Sequence, residues 1–193
     1  MVKVFLDFET GGLNPEVHSP LQLAVMFVKN NDFETAVAEE MYVKLEDYIL
    51  APKAMEINGL DLQEIYSKGK TPREIVQIFK NAREVAKEKL VIVGQNVNFD
   101  INFLKALFKL ANCEKDFSYV FSYRSIDLQS ILFFLNDTKV QDLPDDRVNL
   151  DTAMEFYNVP IPKDRHTALA DIISTAKVYE KAINLINLQS FVC

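Results

Sequence analysis

Asp7-Phe8-Glu9 closes the first apolar run of the chain, VKVFLDF (2–8). Side chains alternate along a strand, so residues two apart share a face. A strand here holds two carboxylates side by side where it surfaces. Like charges that close repel, and the repulsion raises a pKa unless a cation sits between them. A hard, oxygen-ligated ion such as Mg²⁺ or Mn²⁺ resolves it. The competing reading is a strand end that simply turns polar. Thr10-Gly11-Gly12 follow, and glycines let backbone approach a ligand closely and permit positive φ.

A third acid, Asp100 in GQNVNFDINFL (94–104), lies just past an apolar run, in the first turn of a predicted helix. The helix dipole alone would favour an acid there. His166 and Asp171 stand five apart in HTALAD (166–171). Were both helical, their side chains would point roughly 140° apart and share a site poorly. The Pro-containing loop before them instead puts His166 at or before the helix start and Asp171 in the second turn. A surface histidine and a solvated acid are the plainer alternative. The other histidine, His18, has no acidic partner at a useful spacing and is assigned no role. Ligands in open α/β sheets gather at the carboxyl ends of strands. Asp7, Glu9 and Asp100 all fall there, so they can converge.

The elements that would position these groups are legible as patterns. VKVFLDF reads as a buried central strand. LQLAVMFVK (21–29) and AVAEEMYVKL (36–45) read as two more strands, joined by a turn at NNDFET (30–35). Short helical pieces fall around 52–57 and 61–66. Thr71-Pro72 is a helix start, and the helix it opens (72–90) places Ile75, Ile78, Phe79 and Val85 on one stripe. LVIVGQ (90–95) is a second buried strand, 98–113 an amphipathic helix, and SYRSIDL (122–128) a third short buried strand feeding a helix through Phe134. A polar loop (136–149), a short helix at about 149–157, a second loop (158–166) and a long helix (167–186) complete the order. The pattern predicts an α/β sheet with an antiparallel hairpin edge and helices on both faces.

Composition narrows the classes. The 193 residues suit one domain, expected to span 1–193 with a short tail at about 187–193. With 49% hydrophobic and 25% charged residues, the chain has the balance of a folded domain. The 28 acidic against 21 basic residues give a net charge of −7. That argues against coating nucleic acid by bulk charge, though not against a nuclease, whose site needs carboxylates. Asp7 and Glu9 interrupt what a signal peptide would keep apolar, and no apolar run approaches membrane-span length. Two cysteines, Cys113 and Cys193, build neither a disulfide framework nor a zinc site. A cytoplasmic, reducing compartment and no membrane partner are the expectation.

Taken together, FLDFETGGLNP (5–15), GQNVNFDINFL (94–104) and HTALADIISTAKVY (166–179) resemble, in order, the motifs of the DEDDh branch of DnaQ-like 3′→5′ exonucleases. The likeness is to the RNase T and polymerase III epsilon-subunit type. AMEINGLD (54–61) resembles the linker after the third strand in that family, and the resemblance spans about 1–183. It implies an RNase H-like fold with a mixed, mostly five-stranded sheet. It implies that Asp7, Glu9 and Asp171 hold one divalent ion and that Asp7 bridges to a second held by Asp100. Two such ions, Mg²⁺ or Mn²⁺, clamp the attacking and leaving oxygens of an in-line displacement. His166 is implied as general base, for which a pKa near 6.5 is suited. Thr10, Gly11, Leu13, Asn96 and Phe103 are implied substrate contacts: backbone around Thr10 at the terminal sugar, Leu13 as a wedge beside the last bases. Phe103 is equally a core residue by helical periodicity. The sister branch has Tyr-x₃-Asp in place of His-x₄-Asp; position 167 here is Thr, so the resemblance is to the His type.

One departure is Leu21-Gln22-Leu23, where the family often has an acid at the middle position. It is not a metal ligand there, so it touches substrate contacts alone. The expected function is a free-standing, metal-dependent exonuclease on 3′ ends of single-stranded DNA or RNA. A proofreading subunit of a polymerase and a catalytically inactive end-binding module are the alternatives, with a polymerase or a second copy of the chain as possible partner. Two bound divalent ions would bring the charge of −7 to −3. What the acidity then excludes is long-range backbone tracking through many Lys and Arg contacts.

Overall fold

β1 (Val2–Thr10) is the sheet's middle strand and is buried on both faces until its last residues. The computed structural model describes residues 1–143, 148–162 and 167–189. β2 (Pro20–Lys29) and β3 (Asp32–Tyr42) form an antiparallel hairpin with β1, and β4 (Leu90–Gly94) and β5 (Phe121–Asp127) extend the other side in parallel. The order is β3-β2-β1-β4-β5. Eight helices lie among the described residues: α1 (Pro52–Asn58), α2 (Leu62–Lys68), α3 (Pro72–Ala86), α4 (Asn98–Leu110), α5 (Glu114–Val120), α6 (Leu128–Asp137), α7 (Leu150–Phe156) and α8 (Ala168–Gln189). None of them is long and apolar enough to cross a membrane.

Alternation along β1 divides the core. Val4, Leu6 and Phe8 face α3 and α4, with Phe79, Phe108 and Phe121 beneath. Phe5 faces α6, α7 and α8 and packs edge-on to Tyr179 at 5.5 Å. The predicted α/β sheet with helices on both faces is therefore the observed one. Several local expectations are corrected. The turn predicted over 30–35 is only Asn30-Asn31, both at positive φ, a geometry Asn tolerates; β3 accordingly starts at Asp32. The helix from Pro72 stops at Ala86, where Lys87 turns left-handed. Val85 is 85% exposed, and Val76 replaces it in the buried stripe. α5 had no expectation of its own. β5 is an edge strand with a mostly exposed middle, where a buried strand was expected.

Candidate active site

The parallel pairing of β1 with β4 covers only Lys3, Val4 and Phe5. Past Gly94 the chain leaves the sheet, which leaves a gap without a strand partner along the β1 edge beyond Phe5. Asp100, in the first turn of α4, fills it: its Oδ1 accepts the Phe8 amide at 3.0 Å. Asp100 is 3% exposed. The turn that delivers it has Asn96 at φ 55, and the Asn96 carbonyl accepts the Phe99 amide at 3.1 Å. Asp127, at the end of β5, accepts the Val97 amide at 3.2 Å and caps α6 through Ser130.

Asp7 and Glu9 share the face of β1 that looks toward α8, and Asp171 lies in that helix's first turn. The electrostatics tie the four acids together. Some of Asp7's surface reaches solvent, but burial of its carboxyl, then Asp100, Asp171 and Glu9, push its pKa well above the usual range. Glu9 is pushed up to about 7 by burial, then by Asp171 and Glu40. Asp100 is raised to about 8, chiefly by burial, against the lowering effect of the Phe8 hydrogen bond. Among the described residues, no three His, Cys, Asp or Glu side chains close on one point as a ready ligand cluster. The four are near enough to repel without converging. As a donor set they fit a hard divalent cation: all are oxygen ligands, and burial and mutual repulsion raise the pKa values of Asp7, Glu9 and Asp100. His166 lies outside the described residues.

The five substrate candidates separate. Leu13 is 84% exposed, as a wedge requires, and Asn96 is exposed. Phe103 is fully buried among Phe99 and Phe8, at 4.9 and 6.3 Å; it is a core residue and has no face to offer a base. Thr10 is buried, with its hydroxyl donating to the Gly12 carbonyl at 2.8 Å and its own carbonyl accepting from Asn58 Nδ2 at 3.2 Å. Gly11 donates to Ser19 and accepts from Ala51, at 2.8 and 2.6 Å, so its backbone is spent inside the protein. Neither Gly11 nor Gly12 uses the positive φ that glycine permits. Their lack of a Cβ serves packing: one at Gly11 would sit 2.7 Å from the Ile49 carbonyl, one at Gly12 2.5 Å from the His18 ring.

Sequence reasoning thus missed His18, which supports the 10–20 loop. Its Nδ1 accepts the Asn14 amide at 3.1 Å, and Asn14's carbonyl in turn accepts the His18 amide at 2.7 Å. Its partner is a backbone amide, which no acid at any spacing would reveal. Asn58, Asp127 and Glu40 were missed for a similar reason: each acts on backbone of a distant element, which leaves no spacing signal.

The exonuclease family model, named for RNase T, matches residues 4–179. Ribonuclease T of Actinobacillus pleuropneumoniae is 27% identical over 192 residues, covering 94% of this chain and 83% of that protein. The 3′-5′ DNA exonuclease Cap18 of Escherichia coli is 30% identical over 135 residues, covering 67% of each. E. coli exonuclease I in complex with a dT13 oligonucleotide has the same fold, with a TM-score of 0.76 at 20% identity. That match covers 97% of this chain but 43% of exonuclease I, so the chain spans less than half of that protein. A zinc-bound form of the exonuclease I–single-stranded DNA complex matches equally, at 0.76.

Proposed function

The chain belongs to the exonuclease family and is a 3′→5′ exonuclease, and on that premise we propose that it shortens single-stranded DNA or RNA by hydrolysis and releases nucleoside 5′-monophosphates. The observation that carries this reading is the mutual repulsion of Asp7, Glu9, Asp100 and Asp171 at the carboxyl ends of β1 and β4. In our reading Asp7, Glu9 and Asp171 would hold one Mg²⁺ or Mn²⁺, and Asp100 would help to hold a second beside Asp7. Bound there, such ions would neutralise charge on the scissile phosphate and acidify the attacking water. His166 takes the proton of that water, and the displaced 3′ oxygen leaves with the shortened strand. The Phe8 amide holds Asp100 in place through its hydrogen bond. Leu13 stands exposed to wedge beside the last base.

We read residues 1–193 as a single exonuclease domain, because one sheet carries both core clusters of the described residues. We also take it to work in the cytoplasm, on the strength of its two-cysteine composition. The test uses oligonucleotides of DNA and RNA with a 5′ label and either a free or a blocked 3′ end. Stepwise shortening of free ends only, abolished by EDTA, is the expected result. Cleavage of blocked ends at the same rate would refute the 3′→5′ polarity. The same assay decides the sugar preference, since the 2′-OH distinguishes RNA from DNA at a site.

A further inference from the structure

Glu40 stands on β3, two strands away from Asp7, yet its side chain ends on α8. Alternation sends Glu39 to one face of β3, where Lys70 Nζ meets it at 3.3 Å, and Glu40 to the other. There Glu40 Oε1 accepts the Leu169 amide at 3.1 Å, across 129 residues of sequence. The strand register explains how it reaches. Asp7 pairs with Ala24, and Ala24 with Glu40, so the three form one row across β1, β2 and β3. Residues paired this way share a face. Ala24 has nothing beyond Cβ, and the start of α8 settles over it: Ala168 is fully buried and Ala170 is 5% exposed.

The first turn of a helix carries N–H groups with no partner inside the helix. Thr167 Oγ1 accepts one of them, from Ala170, at 3.2 Å. Glu40 accepts another, from Leu169, and Asp171 follows two residues later. The end of α8 that carries Asp171 is therefore capped twice, once by the neighbouring Thr167 and once by Glu40 from the edge strand β3.

We infer that Glu40 is a positioning residue for catalysis, anchoring the first turn of α8 so that Asp171 is held toward Asp7 and Glu9. The inference rests on the proposed reading of those acids as the metal-holding set. Its physical basis is reach, not charge. The negative charge of Glu40 in fact adds to the crowding at Glu9, whereas a neutral acceptor of equal length would anchor the helix as well. A displacement of about 1 Å in a catalytic group can cost a hundredfold in rate, and loss of a cap typically loosens a helix start by about fivefold in its equilibrium.

Three substitutions separate reach from charge. Glu40→Gln keeps an acceptor oxygen at the same distance and removes the charge. Glu40→Asp keeps the charge and is one methylene too short. Glu40→Ala removes both. The readouts are hydrogen exchange of the Leu169 amide, Mn²⁺ affinity by calorimetry, and kcat and KM on a single-stranded oligonucleotide, with circular dichroism confirming the fold. Glu40→Gln is expected to match wild type within about twofold in every readout. Glu40→Asp and Glu40→Ala are expected to speed Leu169 exchange, weaken Mn²⁺ binding and lower kcat by about tenfold, with KM unchanged. Glu40→Gln failing as badly as Glu40→Ala would overturn the inference, as would Glu40→Asp and Glu40→Ala matching wild type. A wild-type protein that neither binds Mn²⁺ nor cuts would instead refute the underlying reading of the site.

Discussion

Replacing Glu9 by Gln should destroy activity and yet stabilise the metal-free fold, by an amount the structure sets. Glu9's pKa stands at about 7 instead of 4.5. Each pKa unit is worth about 1.4 kcal/mol between protonation states. Because the cleft is partly open to screening, that gives about 1–3 kcal/mol. The sign follows from the raised value. Below pH 4.5 the carboxyl is protonated in both folded and unfolded chains, and folding carries no penalty. As pH rises through about 7 the folded chain must hold an ionised, crowded carboxylate, and stability is lost. Gln, always neutral, avoids that loss. In EDTA at pH 8.5, Glu9→Gln should melt about 2–12 °C above wild type, given about 2–4 °C per kcal/mol for a domain of this size. At pH 4.5 the two should melt together. Thermal melts at both pH values make the comparison. A variant no more stable than wild type at pH 8.5 would refute the claim that Glu9 is desolvated and crowded.

Added Mn²⁺ or Mg²⁺ should raise the wild-type melting temperature more at pH 8 than at pH 5, because protons compete for Asp7, Glu9 and Asp100 at the lower pH; an equal rise at both would speak against these acids as ligands. Phe103→Ala should cost about 3–5 kcal/mol in chemical denaturation and leave the catalytic rate per folded molecule unchanged, since the ring is enclosed by the core. Gly12→Ala drives a Cβ to 2.5 Å from the His18 ring and should displace the 10–20 loop, weakening oligonucleotide affinity. The same substitution in a His18→Ala background should cost much less, and a double-mutant cycle on KM measures that coupling.

The sequence made the fold class readable because its strands announce themselves. VKVFLDF and LVIVG are continuous apolar runs, as strands buried on both faces must be, and the two-residue period of Asp7 and Glu9 placed both on one face. β5 misled for the same reason reversed. Its Ser122, Tyr123, Arg124 and Ser125 are polar enough to mark an edge, but the short run ending at Leu128 looked enclosed. α5 was invisible because nothing marks its start: Cys113 offers no side-chain cap, whereas Pro52, Asp61 and Asn149 open the equally short α1, α2 and α7. At the site, the acids were legible as types at known spacings. What was not legible is how the fold steadies them. The Phe8 amide under Asp100, the Asn58 amide on the Thr10 carbonyl and Glu40 on the Leu169 amide each join backbone to a side chain far away in sequence. Backbone donors look the same at every position, so no residue pattern marks such partners. The same holds for Gly11 and Gly12, whose neighbours Ile49 and His18 explain them better than a ligand does.

Asp7 is the acid that Asp100, Asp171 and Glu9 all crowd, and its proposed work is to hold divalent metal for phosphodiester hydrolysis. Asp7→Asn tests it most directly, measured in one preparation for thermal stability, Mn²⁺ binding and shortening of a 3′-hydroxyl oligonucleotide. Asn relieves the repulsion that Asp100, Asp171 and Glu9 impose on Asp7, so the variant should be folded and at least as stable as wild type at pH 8. It should bind Mn²⁺ far more weakly and leave the oligonucleotide intact. A folded Asp7→Asn protein that shortens the strand at the wild-type rate would contradict the claim.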